Sequence, residues 1–343
     1  MFKQLSLVSL TLITVEAQSL SSTLTQRGGI YNAIFLNPAK LAFQNNNSEI
    51  KADFINASLS LSHESYKFLK ELKSATSASN KNREISQLLK KNIGNTLSFS
   101  AHNFSSLSQT QKNLSWSLGI VNTMDGYFIT HSGFGSKGAM ERFIEKYKAL
   151  VATVALTQKN LDYGLNIKVM EKSQDIHNYS ISEMIENSSF SDYFKNKNSQ
   201  KERALGIDAG LVYTLPNHMF NSKLSFSILN IGDTSFHEMG TLPSTSNLGF
   251  SFHPYEDTLI KFDYIDLFKH QPNQHFEKAF RAYISQDFFD KNLKLSSGII
   301  QNALLVGVEY HHAFFTIGVN SYKTENYTQE KERKYELSLA LSW

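Results

Sequence analysis

The chain has 343 residues, of which 41% are hydrophobic and 12% aromatic, with no cysteine, a net charge of +3 and a mean hydropathy of −0.31. The missing thiol excludes disulfides, thiolate metal sites, a cysteine nucleophile and a lipoprotein anchor, and so small a charge leaves no electrostatic footprint for nucleic acid. No window approaches the ~20 apolar residues of a membrane-spanning helix, which leaves a soluble protein or a β-barrel, where only alternate residues of each strand meet lipid.

The chain begins with Lys3 and an apolar run over 5–15, then Val15-Glu16-Ala17, with small or β-branched side chains at −3 and −1 of a cleavage site. This reads as a secretory signal peptide over 1–17, the alternative being a buried N-terminal helix. Residues 26–43 are non-periodic and carry the pair Gly28-Gly29 and an Asn37-Pro38 turn. A strand is expected at about 50–61, with Ile55, Ala57, Leu59 and Leu61 on one face. Over 64–93 the period switches: Tyr66, Leu69 and Leu72, then Ile85, Leu88, Leu89 and Ile93, are helix-spaced.

From 94 onward the period is two almost to the end, as in Leu114/Trp116/Leu118/Ile120, Leu150/Ala152/Val154/Leu156 and Leu205/Ile207/Ala209/Leu211. The alternate positions are small or polar, and Lys168, Asp208, Lys261 and Asp263 are expected to face inward, where charged groups need partners. The segment 139–150 reads instead as an amphipathic helix with Met140, Phe143, Ile144, Tyr147 and Leu150 on one face. Short connections are expected near 310–312, 288–291, 254–255, 215–221, 158–160 and 122–126. Longer ones alternate with them, near 322–331, 267–275, 232–243, 172–202, 135–148 and 105–112, as in a barrel with short turns at one end and long loops at the other. The count from 94 is about fourteen strands, and 50–61 makes a fifteenth. Single-chain barrels favour even numbers, so one strand is misplaced or 50–61 lies outside the wall. The last nine residues put Tyr335, Leu337, Leu339, Leu341 and Trp343 on one side of an extended chain.

That terminal stretch resembles the closing strand of bacterial outer-membrane barrels, which also signals to the barrel-insertion machinery; an ordinary half-buried strand is the alternative. Gly28-Gly29 through Asn37-Pro38-Ala39 resembles the N-terminal plug of the FadL-type superfamily. The succession of 161–168, 205–213, 224–231, 247–252 and 260–264 is similar to the TraF-like proteins of conjugal transfer and to PorV-like barrels of secretion systems. The resemblance runs over roughly 28–343 and implies a plug or hatch over 18–49, built on Gly28, Gly29, Asn37, Pro38 and Ala39, ahead of a barrel over 50–343 with a helical insertion at about 64–93. The hatch either rearranges to open a path or fills the lumen as a static plug.

The expected fold is thus all-β, a transmembrane antiparallel barrel of about fourteen strands with an N-terminal plug and short helices in its loops, in the outer membrane of a Gram-negative bacterium. Implied activities are passage of a small hydrophobic compound or support of plasmid transfer, or else a non-conducting assembly or shuttle role with a secretion or conjugation component. An outer-membrane hydrolase is a third class, but His237-Glu238, His311-His312, His270 with His275 and Asp175 with His177 form no catalytic or metal-ligand pattern. No nucleotide or calcium motif occurs either, so no catalytic residue, metal or cofactor is expected, and the expected partners are outer-membrane lipid and the insertion machinery.

Overall fold

The computed structural model describes residues 35–43, 50–131, 138–186, 193, 199–216, 220–270, 276–325 and 331–343. The expected signal peptide and Gly28 and Gly29 lie outside the described residues.

The chain forms one closed antiparallel barrel. Its first five wall strands are β1 (Ile50–Ser62), β2 (Thr96–Gln111), β3 (Leu114–Thr130), β4 (Met140–Gln158) and β5 (Leu161–Tyr179). Then come β6 (Ser199–Thr214) and β7 (Lys223–Leu229), a small hairpin of β8 (Thr234–Ser235) with β9 (Thr241–Leu242), β10 (Thr245–Tyr255) and β11 (Thr258–Tyr264). The wall ends with β12 (Phe280–Phe288), β13 (Leu293–Ile300), β14 (Ala303–His312), β15 (Phe315–Glu325) and β16 (Lys331–Ser342). All except β8 and β9 belong to the wall, fourteen strands in sequential order, and β1 meets β16 to close it. At that seam Asp53 pairs with Ser342 and Ser62 with Lys334. Beyond it Ala52 and Trp343 exchange both backbone hydrogen bonds, at 2.7 and 2.8 Å.

The alternation decides which face meets lipid. Leu118, Ile120, Leu150, Leu165, Ile167, Leu205, Ile284, Val306, Val319 and Leu337 are exposed on the outer surface, while Ser117, Thr153, Asn166, Lys168, Asp208, Lys261 and Asp263 are buried inside. Such an apolar exterior and polar interior is the pattern of a transmembrane barrel. Exposed aromatics mark the end where the short turns lie, among them Tyr255, Phe289, Phe314 and Trp343. This turn end carries the links at 112–113, 159–160, 256–257 and 313–314 with the connections 215–222 and 289–292, and the opposite, loop end carries the longest connections, 63–95, 180–198, 230–244 and 265–279, and the two-residue link at 301–302.

Three sequence expectations are corrected. Residues 122–126 are not a turn but part of β3, and the expected loop at 105–112 lies mostly within β2, whose link to β3 is 112–113. A turn at 122–126 would divide β3 in two, which accounts for the odd total; Ile50–Ser62 belongs to the wall. Residues 139–150 form no helix: they belong to β4, with Met140 and Ile144 on its outer face and Phe143 and Tyr147 facing the lumen. A strand with apolar residues interspersed among charged ones on both faces imitates helical spacing.

The walls are unequal, with 19 residues in β4 and β5 against 7 in β7 and β11. Two helices, α1 (His63–Thr76) and α2 (Lys81–Lys91), follow β1 and lie against the outside of the tall side. Ser62 caps α1, its hydroxyl accepting from the Ser65 amide at 3.0 Å. Phe68, Leu72, Ile85, Leu88 and Leu89 bury there against Leu97, Phe99, Phe128, Met140 and Ile144. On these upper strands the outer face is therefore covered by protein rather than lipid.

Placing an arginine on the lipid-facing side of the closing strand tests the assignment. Leu337→Arg is expected to lower stability in vesicles by about 2–4 kcal/mol, measured by urea unfolding.

Candidate functional site

Inside the lumen, the turn at Pro38–Phe43 sits against the β3–β6 side of the wall. Pro38 opens this 3-10 turn at a position where a missing amide hydrogen costs nothing. Asn37 holds both ends: its Oδ1 accepts from the Ala39 amide at 3.0 Å, and its carbonyl accepts from the Lys40 amide at 3.0 Å. The Asn37 side-chain amide then donates to the carbonyls of Leu211 at 3.2 Å and Phe226 at 3.3 Å, tying the turn to β6 and β7.

The wall is shaped to receive it. Gly164 on β5 and Gly210 on β6 lie directly opposite each other in register. A Cβ at Gly164 would collide with the backbone of Pro38 and Ala39, and one at Gly210 with the Asn37 side chain and the Pro38 ring. Two glycines on adjacent strands thus leave the notch in which Asn37, Pro38 and Ala39 sit. Beside it, Leu41 packs into a buried cluster of Phe104, Val121, Val151 and Ala155.

Lys40 points the other way. It is fully buried and its Nζ has no hydrogen-bond partner among the described residues. Burial pushes the ammonium down to about 7; Asp263 acts to raise it and Lys223 to lower it further.

Lys168 and Asp208, with Asn166, serve a second lumenal insert, the loop 230–244. Lys168 and Asp208 form an ion pair at 2.7 Å. Asp208 also accepts from Asn166 Nδ2 at 3.0 Å and from the Asn230 amide at 2.9 Å, and Lys168 donates to Asn230 Oδ1 at 3.0 Å. This cluster anchors the loop where β7 ends, and Phe236 and Met239 tuck in against Tyr147 and Met170. Glu145 and Lys172, paired at 2.9 Å and both buried, hold it from above, with Lys172 donating to the Met239 carbonyl at 3.1 Å. Lys261 lies 4.4 Å from the centre of the Tyr283 ring. Tyr335, Leu337, Leu339 and Trp343 are exposed on the outer surface and Leu341 is half-buried.

Between the two inserts runs an apolar stripe. Tyr127 and Phe143 stack near the loop end at 5.3 Å; below the buried Glu145, Tyr147, Ala149 and Val151 continue down β4, and Ala155 follows beyond Thr153 at the Asn-Pro-Ala turn. Ala149 packs against both buried clusters and joins them. The opposite wall is polar at mid-height, with Asn320 donating to Glu336 at 3.3 Å and Glu309 close by, and nearer the loop end it carries a second apolar cluster of Tyr283, Ile300, Leu305 and Tyr322.

No family model and no curated protein matches this sequence. Solved structures do. Similar to it are a ΔS2S3 mutant of the TodX monoaromatic hydrocarbon channel, with a TM-score of 0.58, 10% identity and coverage of 95% of this chain and 97% of that one, and the Ralstonia pickettii toluene transporter TbuX, with a TM-score of 0.58, 10% identity and coverage of 94% and 95%. The CymD monoaromatic hydrocarbon channel gives a TM-score of 0.58 at 9% identity, covering 95% and 96%. The chain therefore shares its whole-length fold with monoaromatic hydrocarbon channels.

Two measurements test the notch. Gly210→Val is expected to displace the turn and raise single-channel ion conductance in planar bilayers several-fold, with the folded barrel retained. Seating the turn withdraws the Lys40 ammonium from water, so the seated state gains on the displaced one as pH rises from about 7 toward the ordinary lysine value near 10.5 and changes little below 7. Conductance should fall over that interval in the wild type, and Lys40→Met should remove the dependence.

Proposed function

We propose that this protein is an outer-membrane channel for small hydrophobic compounds, with its loop end outward and the turn at Pro38–Phe43 acting as a plug at the lower end of the path. The observation that carries this is the inward apolar run on β4: Tyr147, Ala149 and Val151, with Ala155 beyond Thr153, lead from the inserted loop 230–244 to the turn at Pro38–Phe43. A hydrocarbon gains by lying along such a track. The shared fold with hydrocarbon channels supports the same reading. It gives the conjugation half of the sequence expectation no support, and the shuttle role no specific contact.

Proteoliposomes loaded by exposure to radiolabelled toluene test it. Wild type should take up solute well above protein-free vesicles, and Val151→Asp, which places a charge on the track, should reduce the rate at least tenfold. Deleting residues 35–43 should preserve uptake and add ion leak. Equal, negligible uptake by wild type, deletion and protein-free vesicles would overturn the proposal.

A further inference from the structure

The outer face of the tall wall carries a charge pattern that the channel reading does not use. On β4, β5 and β6 the register aligns outward residues in rows: Leu150, Val169 and Leu205 form the last apolar row. One row toward the loop end stand Lys148, Glu171 and Arg203, and the row beyond holds Lys146, Ser173 and Lys201. Lys148, Lys201 and Arg203 are exposed, and Lys146 is half-buried. Arg203 donates to Glu171 at 3.2 Å, and nearer the loop end Asp175, two rows up, pairs with Arg142, three rows up, at 2.9 Å. Arg142 and Asp175 are buried and neutralise each other, so in the two rows below them Lys146, Lys148, Lys201 and Arg203 face the single carboxylate Glu171, an excess of three positive charges. Lys146 lies within electrostatic reach of Lys148, Lys201 and Arg142 as like charges and of Asp175 as the opposing one.

Position makes this more than a solvated face. Neighbouring strands are about 4.8 Å apart and alternate residues about 6.8 Å, so the four side chains Lys146, Lys148, Lys201 and Arg203 frame a patch roughly 10 Å by 7 Å. The patch begins one row above hydrocarbon-facing leucines, at the depth where lipid headgroups lie. A phosphate monoester there accepts several charge-assisted hydrogen bonds at once, and the flanking outward Asn122, in register with Lys148, and Ser173 offer partners to sugar hydroxyls.

We infer that this patch is a binding site for a phosphorylated glycolipid of the outer leaflet, held through its phosphates by Lys146, Lys148, Lys201 and Arg203. The inference rests on the proposed orientation, with the loop end outward.

The experiment uses the full barrel in detergent, probed by native mass spectrometry and thermal unfolding with diphosphorylated lipid A, dephosphorylated lipid A, phosphatidylglycerol or inorganic phosphate. Wild type should retain diphosphorylated lipid A at least fivefold more than either other lipid and unfold at a higher temperature with it, with no response to phosphate alone. The variant K146Q/K148Q/K201Q/R203Q should lose that preference, and K112Q/K159Q/K291Q, which removes charge from the turn end, should keep it. Equal retention by both variants, equal retention of phosphatidylglycerol, or stabilisation by inorganic phosphate alone would overturn the inference. Toluene uptake in phosphatidylcholine vesicles, measured on the same proteins, separates loss of lipid binding from failure of the channel reading.

Discussion

A sheet in hydrocarbon has no water to satisfy its edges, so the structure depends on the pairing of its first and last strands. Each backbone N–H or C=O left open at that depth costs several kcal/mol, and β1 against β16 leaves none of the seam open from Ser62 down to the Ala52–Trp343 pair. One irregularity is tolerated. The register of β1 slips against both neighbours between Asp53 and Asn56, a bulge near the turn end that bends the strand without breaking the ring.

Closure fixes the topology but not the height of the wall, and the unequal strands determine where everything else lies. Because β7 stops at Leu229, the inner upper face of β6 is left without a wall neighbour, and the loop 230–244 fills that place from inside. Its anchor must be polar, since the chain leaves the ladder there with unspent donors, and Asp208 takes the Asn230 amide. On the tall side the opposite problem arises. The upper parts of β2, β3 and β4 extend past the apolar band with Leu97, Phe99, Phe128 and Ile144 still facing outward, and α1 and α2 cover them. The helical insertion after β1 is thus the counterpart of long strands, just as the inserted loop is the counterpart of short ones.

These same causes set what could be read in advance. Lipid demands apolar side chains at every second position, so the barrel, its closing strand and the parity of most of its connections were legible; the exception on a lipid-facing strand is 105–112, where Leu107 stands among outward Ser105, Gln109 and Gln111 and the end of β2 reads as a loop. Elsewhere legibility failed where protein replaced lipid. Asn122 and Gly126 interrupt the outward apolar series of β3 because the outer face there no longer meets hydrocarbon, and the sequence seemed to turn. At 140–150 both faces of β4 mix apolar and charged residues, with Met140 and Ile144 under the helices beside Arg142 and Lys146, and Phe143 and Tyr147 in the lumen beside Glu145, so the period of two vanished. Asn37, Pro38 and Ala39 stood out as a turn, but their seat did not: Gly164 and Gly210 lie 46 positions apart, and only the register of β5 with β6 makes them neighbours. An isolated glycine in a strand signals close approach without saying of what. The apolar stripe was hidden for a related reason, since Val151 and Ala155 alternate with equally apolar lipid-facing residues and nothing in the pattern marks which of them turn inward.

The two sides of the lumenal turn are held very differently, and in the channel reading this decides how it moves. One side is bound by the Asn37 hydrogen bonds, the glycine notch and the packing of Leu41, all on the β3–β7 wall. The other side ends in a buried ammonium near Asp263, whose attraction recovers only part of the desolvation cost of Lys40. A segment strongly attached along one edge and penalised along the other yields by swinging about its attached edge rather than by leaving. The edge that stays is the one at the foot of the apolar stripe, so the space released by such a swing lies on the Lys40 side, between the end of the stripe and the polar wall.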